Sequence, residues 1–198
     1  PEIAVIIPCY RVTRHVCQVL AGIGPEVSGI YVVDDGCPEQ TGDLVAAQVT
    51  DPRVKVIHAP RNLGVGGATM LGYQAALADG RDILVKLDGD GQMDPALIPG
   101  LTAPIREGQA DYVKGNRFFY PEDLEQMPPV RLLGNAALSF LNKLSSGYWH
   151  LFDPTNGYTA LAASVAARLP FEKVSQRYFF ESDLLFRLNL LRAVVQDF

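Results

Sequence analysis

Apolar residues gather in five short runs, at 3–7, 30–33, 54–57, 83–87 and 112–113, each of strand length. Between them, as at 65–77 and 95–105, apolar positions recur at helical intervals. Strand and helix in alternation predict an α/β domain: a Rossmann-like, mostly parallel central sheet with helices on both faces. Ligands of such sheets bind outside the carboxyl ends of the strands. Three of the runs end in turns loaded with functional groups: Pro8-Cys9-Tyr10-Arg11, Asp34-Asp35-Gly36-Cys37 and Asp88-Gly89-Asp90-Gly91-Gln92. If these strands are parallel neighbours, the three turns face one crevice.

Further along, residues 120–129, rich in proline and acidic side chains, read as a loop. Residues 130–144 have the spacing of an amphipathic helix, for which packing on the core is the default and a lipid-facing role the alternative. Phe179-Phe180-Glu181-Ser182-Asp183 opens a last helix over 184–191, and the apolar stretch 193–198 reads as a strand. The chain starts at Pro1 and stops within that stretch, so the expectation is one domain over 1–198, truncated at its C-terminus.

Composition narrows the class. A 198-residue chain that is 48% hydrophobic and 20% charged is an ordinary globular protein. Folding should bury about 70% of its unfolded surface. A net charge of -5 argues against nucleic acid as a partner, which requires a basic surface. Cys9, Cys17 and Cys37 are an odd set without metal-ligand spacing, read as small buried hydrophobes in a reducing cytoplasmic setting. His15, His58 and His150 are scattered and receive no role. No apolar run approaches the roughly 20 residues that cross a bilayer.

The chemistry concentrates after the fourth run. Asp88 and Asp90, with Gln92 two residues on, end a buried strand, where carboxylates need partners. Hard oxygen ligands at a sheet's carboxyl edge suit Mg²⁺ or Mn²⁺ holding a phosphorylated substrate. An ordinary acidic turn is the competing reading. Glu181 and Asp183 sit where acids complement a helix dipole or could serve as a base.

Six segments in order carry a family resemblance: Val5-Ile6-Ile7-Pro8-Cys9-Tyr10-Arg11, Val32 to Thr41 around Asp34-Asp35, Arg61-Asn62-Leu63-Gly64, the Asp88 motif with Gln92 and Pro95, Gly115-Asn116-Arg117, and Asp153-Pro154-Thr155-Asn156-Gly157-Tyr158. Together they resemble the family 2 glycosyltransferases of the GT-A fold, and within them the dolichol- or polyprenol-phosphate sugar synthases. The resemblance implies an inverting hexosyltransferase with a nucleotide-diphosphosugar donor, UDP- or GDP-linked, over the first strand ends. Pro8, Tyr10, Arg11, Asp35, Gly64 and Asp88 would bind that donor, with Asp34 structural. Asp88, Asp90 and Gln92 would form the Mg²⁺ or Mn²⁺ and diphosphate site. Arg117 and Arg131 match basic positions that seat an acceptor phosphate, so Asp90, Asp183, Arg117 and Arg131 are the candidate catalytic residues. A polyprenyl phosphate acceptor implies peripheral contact with the inner, cytoplasmic face of the cell membrane. The alternative is a hydroxyl acceptor with Asp183 or Glu181 as base.

Departures are equally specific. Cys37 replaces a small polar residue, and the turn Gly64-Val65-Gly66-Gly67-Ala68 lacks a basic one. No Gln-x-x-Arg-Trp signature of processive polysaccharide synthases is present. The same turn fails as a dinucleotide fingerprint because Thr69 stands at the third glycine. An Asp-nucleophile phosphatase would carry its Asp-x-Asp-Gly turn near the chain start followed by Thr, and a Ca²⁺ loop fails at Met93 and Pro99. A catalytically silent nucleotide-sugar binding module is the remaining alternative.

Overall fold

The computed structural model describes residues 1–116, 147–149, 151, 156–177 and 179–198. All five expected strands form: β1 (Ile3–Cys9), β2 (Val27–Asp34), β3 (Val54–His58), β4 (Ile83–Lys86) and β5 (Tyr112–Lys114). The strand expected within 193–198 forms as β7 (Val195–Asp197), and one not foreseen, β6 (Thr159–Ala162), completes a seven-stranded sheet of order β3-β2-β1-β4-β6-β5-β7. Pairing is parallel through β3, β2, β1 and β4, and between β5 and β7. β6 alone runs antiparallel, between β4 and β5.

The helices include α1 (Val16–Ala21), α2 (Thr41–Gln48), α3 (Gly64–Ala78), α4 (Ile98–Arg106) and a final helix, Phe180–Leu190. The final helix starts four residues before the expected 184, which puts Glu181 and Asp183 in its first turn. The expected helix at 95–105 opens instead with a single 3₁₀ turn, Pro95–Leu97. Asp94 caps that turn by accepting from the Ala96 N–H at 2.9 Å, and Pro95 is preset for the first helical position.

Alternation along each strand sends successive side chains to opposite faces, and both faces are covered. Ala4, Ile6, Tyr31, Val33 and Leu84 pack with α3 and the final helix, while Val5, Ile7, Ile30, Val32 and Val85 pack with α1, α2 and α4. Burial on both sides explains why the strands read as unbroken apolar runs. Parallel β1, β2 and β4 all end on the same edge, so their three terminal turns meet there. Gly72 permits the close approach of α3, since a Cβ there would lie 2.4 Å from Ile6 Cγ2. Among the described residues no helix is long and apolar enough to cross a membrane.

Candidate active site

The three turns border a cavity of about 350 Å³. Pro8 and Tyr10 line it from the end of β1, Asp35 from the end of β2, and Asp88 and Asp90 from the end of β4. Asn62 and Gly64 contribute from the entry to α3, and Arg177, packed beside Gly64, completes that wall. Tyr10 is 43% exposed, and the Arg11 guanidinium covers its ring at 5.4 Å from the centroid. Arg11 itself adopts φ 59° and stands outside the lining.

The two neighbouring aspartates at the end of β2 divide their labour. Asp34 is buried; its carboxylate accepts from the Cys37 N–H at 2.7 Å and the Gly42 N–H at 2.6 Å, tying the turn to α2. Asp35 accepts from the N–H groups of Leu63 (2.6 Å) and Gly64 (2.9 Å), which fixes the start of α3 against the cavity. Burial pushes the Asp35 carboxyl above the usual carboxylate range, while those two N–H groups and the Arg177 charge pull it back. Cys37 does more than fill space. Its sulfur accepts the Arg11 N–H at 3.1 Å and lies 3.1 Å from Thr41 Oγ1, so the thiol occupies the role of the small polar residue it replaces. Burial pushes the Cys37 thiol up, but hydrogen bonds from Thr41, Arg11 and Glu39 outweigh it and leave the thiol below its ordinary value.

The glycine-rich turn is spent on packing. The N–H groups of Gly66 and Gly67 both donate to the Gln176 carbonyl, at 2.9 and 3.2 Å. A Cβ on Gly64 would lie 2.6 Å from the Gln176 oxygen, and one on Gly66 2.4 Å from the Ser175 oxygen. Together with Asp35, residues 175–177 therefore consume the donors that a dinucleotide phosphate would need. The same seam delivers Arg177 to the cavity.

Asp183 holds that seam from behind. Its carboxylate accepts from the Ser175 N–H at 2.7 Å and Arg187 Nε at 3.1 Å, and it is not among the cavity-lining residues. Glu181 likewise stands outside the lining. Asp183→Asn should therefore lower stability by about 1 kcal/mol and raise the donor KM severalfold with little change in kcat. Urea unfolding and steady-state kinetics test this. A loss of kcat by ~100-fold or more at unchanged stability would instead identify a general base.

Gln92 is exposed and lies outside the lining; its backbone N–H donates to Asp90 Oδ1 at 3.0 Å, so it steadies Asp90 through the main chain. Arg117, Arg131 and residues 153–155 lie outside the described residues, as do the loop at 120–129 and the helix at 130–144. Two cationic residues at or beside the cavity were not among the expected site residues. Arg177 is the one cation among the described lining residues. Lys86, within β4, is 1% exposed and donates to Asp88 Oδ1 at 2.7 Å. A lysine inside an apolar run was the available signal for the second; nothing local marked the first.

The donor set at the β4 end fits a divalent cation shared with a substrate. Asp88 and Asp90 offer carboxylate oxygens to the cavity, and no group of three or more His, Cys, Asp or Glu capable of enclosing a metal occurs among the described residues. A hard cation held by one or two carboxylates completes its shell with water and phosphate oxygens.

A parallel sheet with its acidic pair at the carboxyl edge, crossed by one antiparallel strand, is the GT-A architecture, and the structural relatives agree. Glucosyl-3-phosphoglycerate synthase from Mycobacterium tuberculosis, solved with Mn²⁺ and UDP-glucose, superposes with a TM-score of 0.73 over 99% of this chain and 68% of that one, at 22% identity. The family model for glycosyl transferase family 2 matches residues 4–169, and the chain belongs to that family. It is 32% identical over 190 residues to the undecaprenyl-phosphate mannosyltransferase of Micrococcus luteus, covering 94% of this chain and 77% of the relative. It is 30% identical to the UDP-N-acetylglucosamine–dolichyl-phosphate N-acetylglucosaminyltransferase of Methanococcus voltae, over 89% of this chain and 75% of the relative. The chain is a family 2 glycosyltransferase.

Proposed function

We propose that the protein moves a sugar, with inversion, from a UDP- or GDP-linked donor to a polyprenyl phosphate at the inner face of the cell membrane, with Mg²⁺ or Mn²⁺. The observation that carries the reading is the meeting of Asp88 and Asp90 with Tyr10, Asp35 and Arg177 around one cavity at the sheet's carboxyl edge. Tyr10 offers a ring face to the base, and Asp35 fixes the floor on which the nucleoside rests. Asp88 and Asp90 would hold the cation. When bound, that cation supplies Lewis-acid neutralisation of the diphosphate charge that develops as the anomeric bond breaks. Arg177, which also lines the cavity, would add a positive charge for the phosphates.

The acceptor assignment follows from chemistry and kinship. A phosphate monoester is already an anion and needs no base, whereas a hydroxyl acceptor would need Asp183 or Glu181, and neither lines the cavity. Relatives named for undecaprenyl and dolichyl phosphate support the same class. Arg117 and Arg131 would clasp the acceptor phosphate.

Calorimetric titration of UDP, GDP and their sugar conjugates, with Mn²⁺ present and then chelated, tests the donor half. Metal-dependent binding of one nucleotide is the expected result; binding of none overturns it. For the acceptor half, Arg117→Ala and Arg131→Ala should each raise the KM for undecaprenyl phosphate at least about tenfold while donor affinity holds. Unchanged acceptor kinetics in both variants would remove the lipid-phosphate assignment and leave the donor half standing.

A further inference from the structure

Buried lysines are rare without a partner, and the sheet's carboxyl edge contains two. Lys86 and Lys114 are 1% and 0% exposed, on β4 and β5. Lys114 Nζ donates to the Asn156 carbonyl, and Lys86 Nζ donates to the next carbonyl, that of Gly157, at 3.2 Å. Two buried ammonium groups thus pin consecutive peptides of the segment that leads into β6. Gly157 is pressed so closely onto this point that a Cβ would lie 2.6 Å from Lys86 Nζ and 3.0 Å from Asp88 Oδ2.

Lys86 also spends its charge on the cavity. It forms an ion pair with Asp88 Oδ1 at 2.7 Å, while Asp88 Oδ2 accepts no hydrogen bond from the described residues. The Asp88 N–H is held in turn by Met93 Sδ at 3.4 Å. One oxygen of Asp88 is therefore fixed, one is available, and the carboxylate charge is balanced from behind. That leaves Asp90 as the uncompensated carboxylate of the pair, and a single net charge is a weak trap for a hydrated dication.

We propose that Lys86 is a positioning residue that holds Asp88 by one oxygen and balances its charge, so that the site takes a divalent cation only together with a nucleoside diphosphate. The missing negative charge then comes from the donor itself. The inference rests on the metal-dependent donor reading above and adds to it the order in which charge is assembled.

Titration calorimetry of the purified chain with Mn²⁺, alone and with saturating UDP or GDP, reads this without any turnover. In the wild type the nucleotide should tighten Mn²⁺ binding by at least ~30-fold, since two phosphate charges join Asp90. Equal Mn²⁺ affinity with and without a nucleotide that binds would overturn the inference and spare the donor reading. If neither nucleotide binds under any metal condition, both fall. Lys86→Met removes the balancing charge, and Lys86→Gln removes it while keeping a donor for Asp88, so the second serves if the first does not fold. In either variant Mn²⁺ affinity without nucleotide should rise about tenfold and the enhancement by nucleotide should shrink. Affinity that stays level or drops would show that Lys86 acts only on packing.

Discussion

Asp88→Ala and Asp90→Ala should both reduce transfer by about 10³-fold or more, yet only Asp88→Ala should also destabilise the fold. The loss of turnover has one origin. Stabilising the charge that develops on a leaving diphosphate is worth several kcal/mol, and on the proposed reading the two carboxylates at the end of β4 would hold the cation that supplies it. Stability separates them because their surroundings differ. Asp88 is paired with a lysine that is 1% exposed, and removing the carboxylate leaves that ammonium buried without its counter-charge. Breaking a fully buried pair from one side costs about 3 kcal/mol, and because Asp88 is 33% exposed the expected loss is smaller, about 1–2 kcal/mol. The Asp90 carboxylate forms no ion pair among the described residues, and its one hydrogen bond, from the Gln92 N–H, is exposed, so its loss should cost under ~1 kcal/mol. Urea unfolding beside a transfer assay checks both variants. Equal stability losses would mean that Lys86 finds another partner, and retained turnover in either would detach the acidic pair from catalysis.

The legible part of the fold was the part governed by local pattern. Strands buried on both faces produce apolar runs, and β1, β2 and β4 stood out for that reason, while edge strand β3 showed as a shorter run broken by Lys55. β6 did not: Thr-Ala-Leu-Ala has a single β-branched residue and two alanines, and it becomes a strand only because β4 and β5 each offer it an open edge. The candidate site divides along the same line. Pro8, Tyr10, Asp35, Gly64, Asp88 and Asp90 were legible because each sits at a strand or helix end, where a short motif and the sheet's direction fix its place. Arg177 is carried to the cavity by a seam far along the chain from the strand ends that line it, through backbone hydrogen bonds between the Gln176 carbonyl and α3. No local pattern encodes such a contact. Asp183 shows the opposite difficulty: an acid in a helix's first turn looks equally suited to a dipole, a base or a tie, and no local pattern foretells the bonds that its Oδ2 accepts from Ser175 and Arg187.

That seam makes Gly66 more sensitive than its position two residues into a helix implies. A Cβ at Gly66 would stand 2.4 Å from the Ser175 carbonyl oxygen and 2.8 Å from Phe180 Cδ2, and the first of these is backbone that has no rotamer to change. Gly66→Ala must therefore push residues 175–177 away from α3. Alanine is the better helix former by about 1 kcal/mol, so an exposed helical glycine would gain from the change; here overpacking of about 1–3 kcal/mol and the stretched bonds from Gly66 and Gly67 to the Gln176 carbonyl work against it. The expected net result is a loss of about 1–2 kcal/mol in urea unfolding. Arg177 moves with the seam, so donor KM should rise by about tenfold while the nucleotide still binds. Gly80→Ala provides no adequate control, because Gly80 sits at φ +72°, where any side chain strains the backbone. Ala75→Gly, on the same helix and away from the seam, does: it should cost about 1 kcal/mol and leave donor KM unchanged. If Gly66→Ala lowers stability but donor KM stays level, Arg177 does not touch the donor, and the cavity's positive wall must be sought among the arginines beyond residue 116.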